Sequence, residues 1–506
     1  MPVARTLSVA LRGVDGALVE IEADLANGLP AFTIIGLPDA ALGEAKDRVR
    51  SAATNSGCDL PARKVTVNLS PASVPKHGSG FDLGIAVAAL ATTGIVSLEA
   101  IEAVVHLGEL SLDGRLRPVA GVLPAVLAAR RGGARAVVVP SGNADEARLV
   151  PGIRVIAAAS LRDVLIGHGA ALDPVPVEAL AATEAEGPRA EAGDLADVVG
   201  HPEAVEALQV AAAGGHHMLM LGPPGAGKTL LASRLPGLLP DLEPDAAVEV
   251  SSVRSLAGLP LGASLVTRPP LEAPHHSATM ASLVGGGSGL VRPGAISRAA
   301  HGVLFLDEAP EFSGAVLDAL RQPLETGQIT IHRARTVARF PARFQLVLAA
   351  NPCPCGQGGG DDCTCTPMMR RRYLGRLSGP LLDRIDLHLT VRRVSVAQMT
   401  DGATGPVTTA GARARVVAAR VRARERWGSE GWSLTVHVPG SALRGPRWRL
   451  PASDRAALDR ALERGALTMR GYDRVLRVAW TLCDLDGDER PSADHVGRAL
   501  YLRKGI

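Results

Sequence analysis

The chain has 506 residues, more than one hydrophobic core usually serves, so two to four domains are expected. Apolar residues make up 46% of it, enough for ordinary globular cores, whereas aromatics at 3% leave few stacking platforms for unpaired bases. The net charge of +3 argues neither for nor against a polyanionic partner, so any nucleic-acid contact is expected to rest on phosphates.

The first thirteen residues lack the basic flank, long apolar stretch and cleavage site of a signal peptide. The most apolar stretch, 84–98, is too short to span a bilayer, so a cytoplasmic protein without membrane contact is expected. Residues 1–170 alternate strand-like runs (17–21, 64–69, 136–139) with helical ones (40–54, 82–91, 123–131), an α/β domain. Residues 171–194 turn to Pro, Ala and Glu without clear periodicity and read as a linker. A second α/β block covers 195–394, and 395–411 reads as another joint. Residues 412–506 carry helical spacing throughout, with Ser453 a plausible N-cap, and form a helical C-terminal domain.

The second block opens on an apolar strand, 217–221, followed by Gly222, Pro223, Pro224, Gly225, Ala226, Gly227, Lys228 and Thr229, and then a helix. This is the context that a phosphate-binding loop requires. Glycines let backbone N–H groups curl around phosphates, and the helix N-terminus adds partial positive charge. Only five lysines stand against 49 arginines, yet one of them, Lys228, sits where a compact ammonium meets the β and γ phosphates. Thr229 would ligate Mg²⁺. A second apolar strand, 302–306, ends in Asp307 and Glu308, suited to holding the Mg²⁺ shell and polarising the attacking water of ATP hydrolysis.

Residues 328–340 alternate apolar and polar on both sides of a short centre and predict a β-hairpin. Arg333 and Arg335 near its tip are candidates for DNA phosphate contacts or ordinary exposed arginines, and the run 370–372 reads the same way. The strand 344–350 ends in Asn351. Cys353, Cys355, Cys363 and Cys365 crowd into thirteen residues. Two cysteine pairs around a flexible loop can wrap a tetrahedral Zn²⁺, although C-x-C is tighter than the common C-x-x-C, and unliganded thiols are the alternative. Cys58 and Cys483 read as buried packing in helical contexts. His275 and His276 have no third ligand at readable spacing and read as loop structure.

The chain resembles the YifB/ComM family of magnesium-chelatase-like AAA+ ATPases along essentially its whole length. The stretches that carry the resemblance are Ala211-Ala-Ala-Gly-Gly-His-His217, Ala273-Pro-His-His-Ser277, Leu283-Val-Gly-Gly-Gly287 and Arg292-Pro-Gly-Ala-Ile-Ser297. To these add Asn351-Pro-Cys-Pro-Cys-Gly356, Leu377-Ser-Gly-Pro-Leu-Leu-Asp-Arg-Ile-Asp386 and Arg470-Gly-Tyr-Asp-Arg474. The resemblance implies a homo-oligomer, a hexamer, that acts as an ATP-driven motor on branched, single- or double-stranded DNA, a helicase or branch-migration factor in recombination or natural transformation. It makes Asn351 the residue that orients water. Arg384 becomes a finger for the neighbouring subunit's γ-phosphate, with a bland alternative in an ion pair to Asp383 or Asp386. Arg470 becomes a sensor reaching the γ-phosphate from the helical lid, although Arg474 and Arg477 lie on nearby turns; read plainly, all three are solvent-facing helix arginines.

His201 and the pair Leu271-Glu272 depart from the family pattern, the second by losing a basic pair. Through the segment from His106 to Arg115, the first domain resembles the ChlI-like, S5-like domain of Lon protease and RadA. The serine position falls on or beside Gly80 and the lysine position near Leu123, leaving Ser79 nearby without a base, so a Lon-protease-like but non-proteolytic domain is expected. Two other readings stay open: a magnesium-chelatase-type ATPase subunit driving metal insertion, from which the first domain and the cysteine loop would set this chain apart, and a protein remodeller.

Overall fold

Strands Ala4–Arg12 and Asp15–Ala26 pair antiparallel with alternating burial, and the chain reverses at Gly13, whose φ of +69° is left-handed backbone that glycine tolerates. The structure, a computed structural model, describes residues 3–36, 39–180, 193–287, 291–333, 337–358, 363–395 and 407–503. The hairpin sits inside a seven-stranded sheet. Its order is Ala31–Ile35, Lys64–Ser70, Asp15–Ala26, Ala4–Arg12, Val104–His106, Ala136–Pro140, Arg154–Ala158. The helix Asp82–Ala91 packs on the two hairpin strands and is buried along its whole length, which is why it is apolar all round. Cys58 is buried too, but just past the end of helix Ala40–Asn55 rather than within a helix.

The second sheet is parallel throughout, in the order Leu271–Glu272, Val303–Leu306, Gln345–Ala350, Met218–Leu221, Leu387–Thr390. Parallel strands covered on both faces read as unbroken apolar runs, as three of these do. Period-two geometry then sorts their side chains between two cores. Met218, Met220, Val303, Phe305, Val347 and Ala349 face one; Leu219, Leu304, Leu306, Leu346, Leu348 and Ala350 face the other.

The first of those cores also takes in helices Pro202–Gly214 and Lys228–Leu238 and the C-terminal helices Thr409–Trp427, Ala452–Glu463, Met469–Asp486 and Ala493–Arg503. The helical region thus shares one core with the second α/β block. Helix Thr409–Trp427 begins inside the stretch read as a joint, and the hydroxyl of its Thr409 accepts from Leu195 N at 2.7 Å, joining the starts of the two segments. Helix Ala452–Glu463 starts one residue before the expected cap: Pro451, with φ near −53°, occupies the cap position, and the Ser453 hydroxyl faces Asp454 instead. All four tryptophans belong to this region, and Trp427, Trp448 and Trp480 meet edge to face at 4.7, 5.3 and 5.9 Å. The scarce large aromatics serve a core, not a surface.

Asp386 is fully buried where the sheet meets the helical region. Arg474 donates to it at 2.5 Å, and His216 Nδ1 lies 3.2 Å away. Arg474 also donates to Arg384 O at 3.1 Å, and Arg503 to Ile385 O at 2.7 Å. Burial pushes the Asp386 carboxyl up, but Arg474 and His216 outweigh it and hold it well below the usual carboxylate range. Asp386→Ala strands the Arg474 guanidinium, so a loss of about 3–5 kcal/mol in urea unfolding is expected. An unchanged urea midpoint would show that the pair contributes nothing.

Among the described residues the first domain docks on the second block through backbone hydrogen bonds and through Leu261 and Leu265, which pack on its core. Val14 N donates to Arg339 O at 3.4 Å, and Gly121 N to Ser255 O at 3.1 Å.

Candidate nucleotide site

Strand Met218–Leu221 leads straight into the glycine-rich loop. Gly225 and Gly227 take φ of +77° and +87°, conformations that side chains with a Cβ rarely adopt. Helix Lys228–Leu238 begins on Gly227 without a side-chain cap, so its first N–H groups stay free to meet an anion at the loop. The Lys228 side chain is buried and folds back along the loop. Its Nζ donates to Gly222 O at 2.6 Å, Pro223 O at 3.0 Å and Asn351 Oδ1 at 3.0 Å. Burial lowers its pKa, against the opposing pull of Asp307 and Glu308. Asn351 reaches it because Leu221 and Ala350 are register partners on adjacent strands.

Asp307 and Glu308 arrive from the next strand over, Val303–Leu306. Thr229 Oγ1 donates to Asp307 Oδ2 at 2.7 Å, which places two hard oxygen ligands side by side where Mg²⁺ could be held. Glu308 has φ of +50°, unusual for a residue with a side chain, and its N–H donates to Asp307 Oδ1 at 2.9 Å. Residues 224–230, Asp307, Glu308, Ala350 and Asn351 line one cleft of about 430 Å³. His201, at the N-cap of helix Pro202–Gly214, lies against this loop near Ala226, and burial lowers its pKa.

One contact was not readable in sequence. His276 Nδ1 lies 3.3 Å from Glu308 Oε2, although the two are 32 positions apart. Strand Leu271–Glu272 pairs beside Val303–Leu306, and that adjacency delivers the histidine loop to the carboxylate. Glu272 itself is paired, with Arg298 at 2.9 Å.

Arg384 bonds neither Asp383 nor Asp386. It pairs with Glu325 and donates to Pro380 O at 2.5 Å. Asp383 is left to Arg470 at 3.7 Å, and Asp386 to Arg474. Burial, followed by the charge of Arg470, lowers the Arg384 pKa, so the two cations are neighbours. Arg470 is 75% exposed and does not line its own chain's cleft. The bonds of Arg474 to Asp386 and to Arg384 O hold the first turns of helix Met469–Asp486 against the Arg384 segment. Arg474 and Arg477 are not solvent-facing, and Arg477 donates to Val438 O at 2.8 Å.

Strands Gln328–His332 and Val337–Pro341 form the expected hairpin. Arg333 is exposed where the first strand ends, and Arg335 lies outside the described residues. Arg371 and Arg372 are exposed on helix Pro367–Leu374. The sulfurs of Cys353, Cys355, Cys363 and Cys365 all lie within 4.8 Å of one another, while Cys483 is buried in helix Met469–Asp486. In the first domain Ser79 donates to Glu109, and buried Lys76 is committed to Gly36 O, Leu69 O and Pro71 O at 2.8, 2.9 and 2.5 Å. Leu123 is buried on helix Val122–Arg131, and among the described residues neither Ser79 nor Lys76 is bonded to the other.

A glycine-rich loop and an acidic strand end, separated by one strand of a parallel sheet and backed by C-terminal helices, define a nucleotide-binding machine of the AAA+ class. Comparison narrows it. The family described as magnesium chelatase, subunit ChlI, matches residues 194–399; subunit ChlI of Mg-chelatase matches 21–143; and the ChlI C-terminal family matches 407–503. An uncharacterized protein of Mycobacterium tuberculosis is 50% identical over 514 residues, spanning 100% of this chain and 99% of its own. The competence protein ComM of Haemophilus influenzae is 42% identical over 504 residues (99% and 98%), and YifB of Escherichia coli 39% over 497 (98% and 96%). A weaker likeness, 29% over 177 residues, links 33% of the chain to 22% of Lon protease of Rhizobium meliloti. The chain belongs to the YifB/ComM family of magnesium-chelatase-like AAA+ ATPases.

The match of 21–143 to a chelatase-subunit family corrects one expectation: the first domain does not by itself set this chain apart from chelatase subunits. Among the described residues no helix is long and apolar enough to cross a membrane.

Proposed function

We propose that the chain is a ring-forming, ATP-driven DNA motor, a helicase or branch-migration factor in recombination or natural transformation, working as a hexamer in the cytoplasm. The observation that carries the ring is the separation of charges. Lys228, Thr229, Asp307, Glu308 and Asn351 share one cleft, whereas Arg384 and Arg470 stand together elsewhere. A site built so is complete only when a neighbour supplies its arginines.

In this mechanism the loop N–H groups and Lys228 hold the β and γ phosphates of ATP. Thr229 and Asp307 hold Mg²⁺, which when bound supplies charge neutralisation at the phosphates. Glu308, freed from His276, polarises the attacking water, and Asn351 orients it. Arg384 of one subunit meets the γ-phosphate of the next, with Arg470 beside it. The cysteine loop holds a structural Zn²⁺.

DNA as substrate is supported by a full-length relative named as a competence protein and by the exposed hairpin arginine. Arg333→Ala is expected to weaken DNA binding alike on all sequences and to lower the salt slope by about 1, read from binding isotherms at several salt concentrations. An unchanged slope would remove the hairpin from the interface.

The test of the whole reading is ATP-dependent displacement on a synthetic branched DNA joint, beside a Lys228→Ala control. Movement by the parent and none by the control supports the motor. ATP hydrolysis without movement at any protein concentration sinks it. The chelatase-type reading, favoured by the descriptions of all three matching families, would then lead, ahead of a protein remodeller.

A further inference from the structure

The cysteine loop is joined to the nucleotide site at both ends and in its middle. It leaves the sheet at Asn351, whose side chain accepts from Lys228 Nζ at 3.0 Å. It returns through helix Pro367–Leu374, where buried Tyr373 lies near the backbone of Asn351. Between these points Gly356, at φ +83°, lies against the phosphate loop so closely that an added Cβ would stand 2.6 Å from Pro224 Cδ. Gly356 is tied to the cysteines through its N–H, which donates to Cys353 O at 3.0 Å.

Their spacing suits one tetrahedral metal. With Zn–S bonds near 2.3 Å, sulfurs at the corners of a tetrahedron stand about 3.8 Å apart. Cys353 lies 3.3 Å from Cys355 and 3.8 Å from Cys363, and Cys355 lies 3.6 Å from Cys363. Gly358 N–H also points at Cys353 Sγ, at 3.3 Å, a donor that favours thiolate over thiol. Binding of an ion by four thiolates supplies folding free energy, so zinc would hold the four cysteines in place.

We propose that Zn²⁺ bound by Cys353, Cys355, Cys363 and Cys365 is a clip on the nucleotide site: it fixes Gly356 against Pro224 and Asn351 against Lys228, and so sets the affinity of the phosphate loop for nucleotide. This deepens the zinc assignment above and is independent of whether the motor acts on DNA. The four cysteines ligate, and Gly356 and Asn351 act as positioning residues through the loop.

The test uses the full chain, purified under a thiol reductant, in Mg²⁺ and without DNA. Zinc content is measured by atomic absorption, and nucleotide affinity by titration with a fluorescent ADP analogue. One zinc per chain is expected. Its removal by a zinc-selective chelator should raise the Kd about tenfold, reversed by adding zinc back. Gly356→Val should keep the zinc and still raise the Kd, because the valine cannot occupy the space beside Pro224; zinc retained with a parent-like Kd would overturn this contact as the route. Cys355→Ser should lose the zinc, with circular dichroism reporting whether the fold is kept. Should that variant not fold, the chelator arm on the parent still decides. Absence of zinc from the purified chain overturns the site. Zinc release that leaves the Kd unchanged overturns the clip, whatever the branched-DNA assay shows.

Discussion

Lys228→Ala is expected to reduce ATP turnover by about a hundredfold or more, measured as phosphate release, and to weaken nucleotide binding by at least about tenfold. The ammonium is one of only five in the chain, and it is held at the loop by three oxygen acceptors. Its removal takes away a desolvated positive charge where phosphate negative charge gathers, so a surface lysine cannot substitute. It also frees Gly222 O and Pro223 O, and a cost of about 1–3 kcal/mol in local stability accompanies the loss of function. A variant that retained a tenth of the parent's turnover would remove Lys228 from the phosphates.

Glu308→Gln should separate binding from hydrolysis. Glutamine keeps the size of the side chain and can still meet His276, but it cannot take a proton from water. Turnover is expected to fall by about 10²–10⁴, while the Kd for the fluorescent nucleotide stays within a few-fold of the parent. Comparable losses in both measurements would mean that Glu308 organises the cleft instead of acting on water. The left-handed backbone at Glu308 makes the distinction worth measuring, because strained residues collect where geometry serves chemistry.

Much of the nucleotide site was legible because it is local. The phosphate loop is one continuous stretch with glycines at 225 and 227, and the conformations that require glycine there are properties of a few consecutive residues. The acidic strand end was readable for the same reason, as a buried apolar run that stops at two carboxylates. The hairpin at 328–341 followed from strict alternation, and the four cysteines from their spacing.

The partners of Arg384, Arg470 and Glu308 were not legible. Arg384 was offered Asp383 or Asp386, its neighbours in sequence, yet it pairs with Glu325, 59 positions away. Arg470, which the family resemblance makes a sensor reaching the γ-phosphate from the helical lid, meets Asp383, 87 positions away. What the helical region packs on is not legible either, because periodicity reports that a helix has an apolar face and not what covers it. Its helices pack chiefly on helices Pro202–Gly214 and Lys228–Leu238, which flank the second sheet.

The division has one physical cause. Backbone dihedral preference, hydrophobic period and cofactor-loop chemistry act over a few residues, so the amino-acid order alone determined the strand–loop–helix unit, the acidic strand end and the cysteine loop. Strand order, by contrast, is settled by which elements bury the most apolar surface together. Only the tertiary structure placed Gln345–Ala350 between the two halves of the nucleotide site, brought His276 to Glu308 and Gly356 to Pro224, and set Arg384 and Arg470 side by side.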